Sequence, residues 1–245
     1  MAAADDLAPT GAAERHTVDV EGIPMSALLA EAARPRAVIL ALHGGAATSA
    51  YFDAPNQPRL SLLRTGVALR FTVLALDRPG YGSSAPCADV MASAQRRVDL
   101  AYAAVSLLLG ARPQGAGVFV LGHSMGCALA IQMAGDERGA DLLGLEIAGI
   151  GRHHHPRAAA VLETRVLDRL GRPRAGRDRT GITMRVVTEE QAGGGHNLSL
   201  GLSALAYHLK VLSFAEECVL ARENADAMSG DEKAGAAAPV ELAGG

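Results

Sequence analysis

The tightest constraint on how this chain folds is the pentapeptide Gly122-His123-Ser124-Met125-Gly126 in its setting. Residues 118–121 before it form a short apolar run that reads as a buried strand. Residues 127–134 after it read as a buried helix. The turn between them is tight and needs its glycines, since a Cβ at either flank would collide with the neighbouring strand or helix. Ser124 then sits at the apex with its hydroxyl exposed. The helix that begins there aims backbone N–H groups and a positive dipole end at the same point. Strand, sharp turn and helix around Gly-x-Ser-x-Gly make a nucleophile elbow.

The rest of the chain repeats the strand-then-helix rhythm. Two early strands, within 16–20 and 25–32, flank a turn at Glu21-Gly22. Residues 37–42 are a buried strand ending in His43-Gly44-Gly45. A helix follows within 59–68, and a strand at 71–76 ends in a glycine-rich turn from Asp77 to Ser84. Residues 93–109 carry Val98, Ala101, Tyr102, Val105, Leu108 and Leu109 at helical spacing. A further strand covers 142–148. This alternation predicts a doubly wound, mostly parallel α/β sheet covered on both faces.

Residues 152–182 differ, with eight arginines between 152 and 179 and three histidines at 153–155. They read as a connector or the remnant of a lid, with a short helix within 158–170 and a loop at 171–181. A strand at 183–188 comes next. A long helix at 198–220 then places Leu198, Leu202, Leu205, Leu209, Leu212 and Val219 on one stripe, expected to pack on the core. The expected organisation is a flexible leader at 1–15, a single domain at 16–222 and a disordered tail at 223–245.

Composition narrows the classes. Of 245 residues, 49% are hydrophobic, which supports a substantial core, and Trp is absent, so Ala, Leu and Val must build it. Net charge is −3, and only Lys210 and Lys233 are lysines. Acids outnumber bases, so no global basic footprint points to nucleic acid. The odd number of cysteines, Cys87, Cys127 and Cys218, suggests neither a disulfide framework nor a zinc ribbon. The three histidines have no second ligand cluster at a metal-binding spacing. No phosphate-cradling loop and no Gly-x-Gly-x-x-Gly turn is present, so no cofactor is expected. No stretch is long and apolar enough to cross a membrane. With no signal peptide, a cytoplasmic protein is expected. Oligomeric state is not legible.

Three strand ends carry related loops: His43-Gly44-Gly45, the Asp77–Ser84 turn and the Ser124 turn. A fourth loop holds the glycine-flanked His196 before a terminal helix. In this order they resemble the α/β-hydrolase family over residues 16 to about 150 and again from about 183 to 222. The resemblance implies a serine hydrolase acting on a small-molecule ester or thioester. It makes Ser124 the nucleophile and His196 the base that activates it. It assigns the oxyanion hole to the N–H groups of Met125 and Gly45. His43 is read instead as a structural histidine.

The family's triad runs Ser, then Asp or Glu, then His. Only 72 positions separate Ser124 from His196, and the usual acid-bearing strand has no clear place among them, so the fold is shortened between 150 and 183. Asp136, Glu137 and Asp141 belong at the far edge of the sheet. Glu190, Glu189, Glu146, Asp168 and Asp178 all stay open as the acid. The second reading is an impaired relative that binds a small molecule or a protein.

Overall fold

The computed structural model describes residues 12–91, 93–149 and 196–235. Strand β1 (Glu14–Val20) turns through Glu21 and Gly22, at φ +54° and +82°, into β2 (Ile23–Ala30). Two left-handed residues in a row match the twist of the paired strands, which makes this the favoured kind of hairpin turn. The sheet continues with β3 (Val38–Leu42), β4 (Thr72–Leu76), β5 (Val118–His123) and β6 (Gly144–Ala148), in the order β1-β2-β4-β3-β5-β6. β1, β2 and β4 pair antiparallel, and β4, β3, β5 and β6 pair parallel.

Both faces of the sheet are covered. Helices α2 (Ala94–Leu109) and α3 (Gly126–Ala134) pack on one face, through Val98, Ala101, Val105, Leu129 and Met133. Helix α1 (Leu62–Ala68) and α4 (Ala204–Gly235) pack on the other, through Leu62, Leu63, Tyr207, Val211 and Val219. Every residue of β3 and β4 is therefore buried, as their unbroken apolar runs require. Ser61 and Ser93 accept from the Arg64 and Arg96 amides and cap α1 and α2.

The parallel register levels the carboxyl ends. Leu42 pairs with Leu76 on one side and Gly122 on the other, and Gly122 pairs with Ile147. The loops after β3, β4, β5 and β6 thus meet at one edge. The chain leaves β3 toward β4 and returns to β5 on the opposite side, which opens a crevice at that edge.

The last helix departs from the expected phase. It begins at Ala204 rather than 198, and its buried face is Ala204, Tyr207, His208, Val211, Leu212, Ala215 and Val219. Leu202, Leu205 and Leu209 point outward instead. The helix lies close at one point, where a Cβ on Gly144 would be 2.9 Å from Cys218 Sγ, and Tyr207, Val211, Leu212 and Val219 fill the rest of that face. Arg36 also joins Glu216 at 2.7 Å and Glu223 at 2.8 Å, but these groups are partly exposed, so apolar packing dominates. The helix runs past residue 223, where the sequence reading begins its tail. Ala225, Ala227 and Met228 are good helix formers. The strand expected at 183–188 and the helix expected within 158–170 lie outside the described residues.

Two buried imidazoles tie stability to pH. His208 is enclosed on α4 with neither ring nitrogen hydrogen-bonded among the described residues, and burial pushes it down to about 4. His43 is pushed down to about 4 by burial and then by the Arg78 guanidinium. In the unfolded chain both titrate near 6.5. Between pH 6.5 and 4 the unfolded chain binds more protons, so stability falls as pH falls and levels off below about 4. Each ring contributes about 3 kcal/mol to that loss. His208→Leu, measured by urea unfolding from pH 7 to 4, is expected to lose about 3 kcal/mol less than wild type over this range. An unchanged loss would show that His208 charges in place without cost.

Candidate active site

Ser124 follows β5 at φ +51°, a left-handed conformation that costs a non-glycine residue on the order of 1 kcal/mol or more. The surrounding backbone enforces it. The Ser124 N–H donates to the Ala148 carbonyl at 2.8 Å, and its own carbonyl accepts from the Cys127 amide at 3.0 Å. The flanking glycines are places where two backbones touch. A Cβ on Gly122 would lie 2.8 Å from Cys127 Cα and 2.9 Å from Ala130 Cβ. A Cβ on Gly126 would run into the Leu42 carbonyl and lie 2.7 Å from that of His43. The buried Cys127 thiol, pushed up to about 11 by burial, is a packing group.

His196 lies directly across. Its Nε2 is 3.0 Å from Ser124 Oγ, although 72 residues separate the two in the chain. The ring is exposed, while the backbone carbonyl accepts from His123 Nε2 at 2.7 Å and from the Leu198 amide at 3.1 Å. Gly149, just after β6, makes room: a Cβ there would lie 2.8 Å from His123 Nε2 and 3.4 Å from the His196 carbonyl.

The loop after β3 closes the third side. A Cβ on Gly44 would lie 3.2 Å from Ser124 Cβ, and one on Gly45 would lie 3.4 Å from Met125 Cγ. Among the described residues neither the Gly45 nor the Met125 amide donates to a protein acceptor. The peptide joining Gly44 to Gly45 is gripped from behind. Its carbonyl accepts from His43 Nδ1 at 2.8 Å and from Arg78 Nη2 at 2.9 Å. In a trans peptide the N–H points opposite to the C=O, so this grip aims the Gly45 N–H away from Arg78. His43 is fully buried, its Nε2 accepts from the Arg78 amide at 3.1 Å, and its low proton affinity keeps it neutral, as a structural histidine requires. The Arg78 guanidinium lies 4.4 Å from the Tyr81 ring centroid.

The acid candidates are placed as follows. Glu146 sits in mid-β6 beside Tyr207 of α4, whose phenol is raised well above its ordinary value by burial and by that carboxylate. This sets Glu146 against the helix-covered face. Glu189, Glu190, Asp168 and Asp178 lie outside the described residues, as do the histidines at 153–155. Among the described residues no carboxylate is bonded to His196. Asp136 and Asp141 follow α3, and Asp136 binds Arg138 at 2.7 Å, at the opposite edge as expected. Asp77 is a structural acid. It is fully buried and accepts from the Ser49 amide and Ser26 Oγ, each at 2.6 Å, which ties β2 to two loops. Among the described residues no cluster of metal-ligand type occurs, and no helix is long and apolar enough to cross a membrane. A hollow of about 320 Å³ lined by Tyr102, Met133, Leu142, Arg138 and Asp141 touches neither Ser124 nor His196.

Two neighbours of the site escaped the sequence reading. His123 lay inside the pentapeptide as an unassigned position. Tyr51 belongs to a short turn with no motif around it.

The chain belongs to the alpha/beta hydrolase family, whose model matches residues 38–228. The sheet order and covered faces are those of a mostly parallel α/β fold, as the sequence predicted. No curated protein is similar to the chain in sequence at a significant level. Among solved structures it is similar to a thermostable carboxyl esterase from Bacillus coagulans, at 20% identity and a TM-score of 0.47, covering 62% of this chain and 49% of that one. It is also similar to an epoxide hydrolase from Vigna radiata, at 22% identity and a TM-score of 0.46, covering 64% and 44%. A thioesterase domain from the curacin biosynthetic pathway matches at 20% identity and a TM-score of 0.45, covering 65% and 54%. The chain spans about half the length of these relatives.

The backbone contact at Gly126 is testable. Gly126→Ala is expected to destabilise the fold by about 2 kcal/mol or more, because the obstacle is backbone. Gly135→Ala, where a Cβ would meet its nearest neighbour at 3.4 Å, is expected to stay within about 0.5 kcal/mol. Equal urea midpoints for the two variants would contradict this reading.

Proposed function

We propose that the protein is a serine hydrolase that cleaves a carboxylic ester or thioester through an acyl-enzyme on Ser124. The observation that carries this is the 3.0 Å approach of His196 Nε2 to Ser124 Oγ, with Gly45 beside Met125 and neither amide donating to an acceptor among the described residues. His196 Nε2 takes the Ser124 proton as Oγ attacks the acyl carbonyl carbon. Charge moves to the carbonyl oxygen, where the two N–H donors receive it. Each such donor is worth about 2.7–4 kcal/mol. The tetrahedral intermediate collapses, and the leaving alkoxide or thiolate takes its proton from His196. Water then attacks the acyl-enzyme with His196 again as base, which releases the carboxylic acid and restores Ser124.

The second reading, an impaired relative that binds a small molecule or a protein, is favoured by one observation: among the described residues His196 has no carboxylate partner. Loss of orientation at the histidine cost about 10⁴-fold in one serine protease triad, so the acid's contribution is large.

Labelling with a serine-directed fluorophosphonate, read by intact mass, separates the two. The folded wild type is expected to gain one adduct and Ser124→Ala none. His196→Ala is expected to label roughly 10²–10⁴-fold more slowly. An inert, folded wild type would overturn the hydrolase reading in favour of binding.

A further inference from the structure

The ring of His196 is exposed and stands on a turn ahead of α4, yet it must hold one orientation to serve Ser124. Among the described residues the ring meets Ser124 Oγ at 3.0 Å and lies 5.2 Å from the His123 ring, and its backbone carbonyl is hydrogen-bonded by His123. The His196 carbonyl can only accept, so His123 Nε2, 2.7 Å away, carries the proton of that bond. Tyr51 stacks on the His123 ring, with centroids 4.6 Å apart and planes 21° apart, and its hydroxyl lies 3.2 Å from the same Nε2. The Tyr51 hydroxyl also accepts from the Ser199 amide at 3.2 Å, so it holds the turn at a second point. Two side chains from beneath the site thus grip the turn three residues apart.

The burial of His123 argues that this grip has a use. With its proton on Nε2, its Nδ1 is a buried lone-pair acceptor without a hydrogen-bond partner among the described residues. An unsatisfied buried acceptor is destabilising, and an apolar ring would fill the space without that cost. Local conflicts of this kind collect at functional sites.

We infer that His123, backed by Tyr51, is a positioning residue that holds His196 over Ser124 through the His196 backbone carbonyl. This rests on the proposed serine-hydrolase reading but adds to it: the base is oriented from its main chain by the residue that precedes the nucleophile. Covalent order puts His123 next to Ser124, so the link makes the distance between base and nucleophile a local property of the turn.

The test uses the full-length chain with His123→Phe, His123→Gln and Tyr51→Phe, each first shown to melt cooperatively. Phe keeps the ring volume and removes the donor, whereas the Gln side-chain amide restores one at similar reach. With p-nitrophenyl acetate, His123→Phe is expected to lower kcat about tenfold or more at unchanged KM, the scale of one lost hydrogen bond. His123→Gln is expected to recover part of it, and Tyr51→Phe to show a smaller loss. Fluorophosphonate labelling of Ser124 should slow in the same order. In a His196→Ala background the His123→Phe effect is expected to vanish, because the residue acts through His196. Wild-type labelling with an unchanged His123→Phe rate, or an equal loss in the His196→Ala background, would overturn the positioning role and leave the hydrolase reading intact. If the wild type does not label at all, the hydrolase reading fails instead. Hydrogen exchange at the Leu198 and Ser199 amides then decides on the grip: faster exchange in His123→Phe and Tyr51→Phe supports it, and unchanged exchange overturns it.

Discussion

Everything at the site depends on one contact, the seating of the first turn of α3 directly on the backbone ends of β3 and β5. Gly126 meets the Leu42 and His43 carbonyls and Gly122 meets the Cys127 backbone, with no side chain between. At ordinary side-chain separation the chain could leave β5 in an extended conformation. At this separation it must reverse within one residue, and Ser124 absorbs the reversal at φ +51°. The strain is held by the bond from the Ser124 amide to Ala148 and by the packing of α3. A strained residue persists only where its surroundings overdetermine it, and here three parallel strands and a helix do so.

The polar groups around that turn are buried in a consistent electrical order. His43 and Arg78 both bind the Gly44 carbonyl, so the negative end of that peptide is satisfied in the interior and the positive end points away from Arg78. Burial pushes the His43 and His123 imidazoles down, which keeps two neighbouring rings neutral beneath the turn. The Arg78 guanidinium is buried too, its proton affinity lowered chiefly by that burial. A neutral floor with one fixed cation and two outward amides suits an oxygen that gains negative charge, which is the demand of the proposed chemistry.

Much of the framework was legible because it follows from local rules. Fully apolar runs became β3 and β4, the Glu21-Gly22 turn became a hairpin, and glycines around Ser124 marked backbone contact. The phase of α4 was not legible. Leucine spacing alone favoured Leu202, Leu205 and Leu209 as core, whereas the packed helix turns Tyr207, Val211, Leu212, Ala215 and Val219 inward, with Cys218 close against Gly144. Glu146 is a related case: near the end of β6 its direction was open in the sequence, and in the fold it lies beside Tyr207 of α4. Tyr51 carried no signal at all, since a lone aromatic in a short turn gains meaning only from its neighbours in space.

The amino-acid sequence by itself determined the order of strands and helices, the strained serine turn and the candidate pair Ser124 and His196. Those features rest on periodicity, glycine geometry and motif order, which act over a few residues at a time. Only the tertiary structure decided that His196 Nε2 comes within 3.0 Å of Ser124 Oγ, that the Gly44 carbonyl is gripped by His43 and Arg78, and that His123 and Tyr51 hold the His196 turn. The physical reason is that these contacts join loops from different strands. Their distances are set by the parallel register that levels β3, β4, β5 and β6, and no local pattern encodes that register.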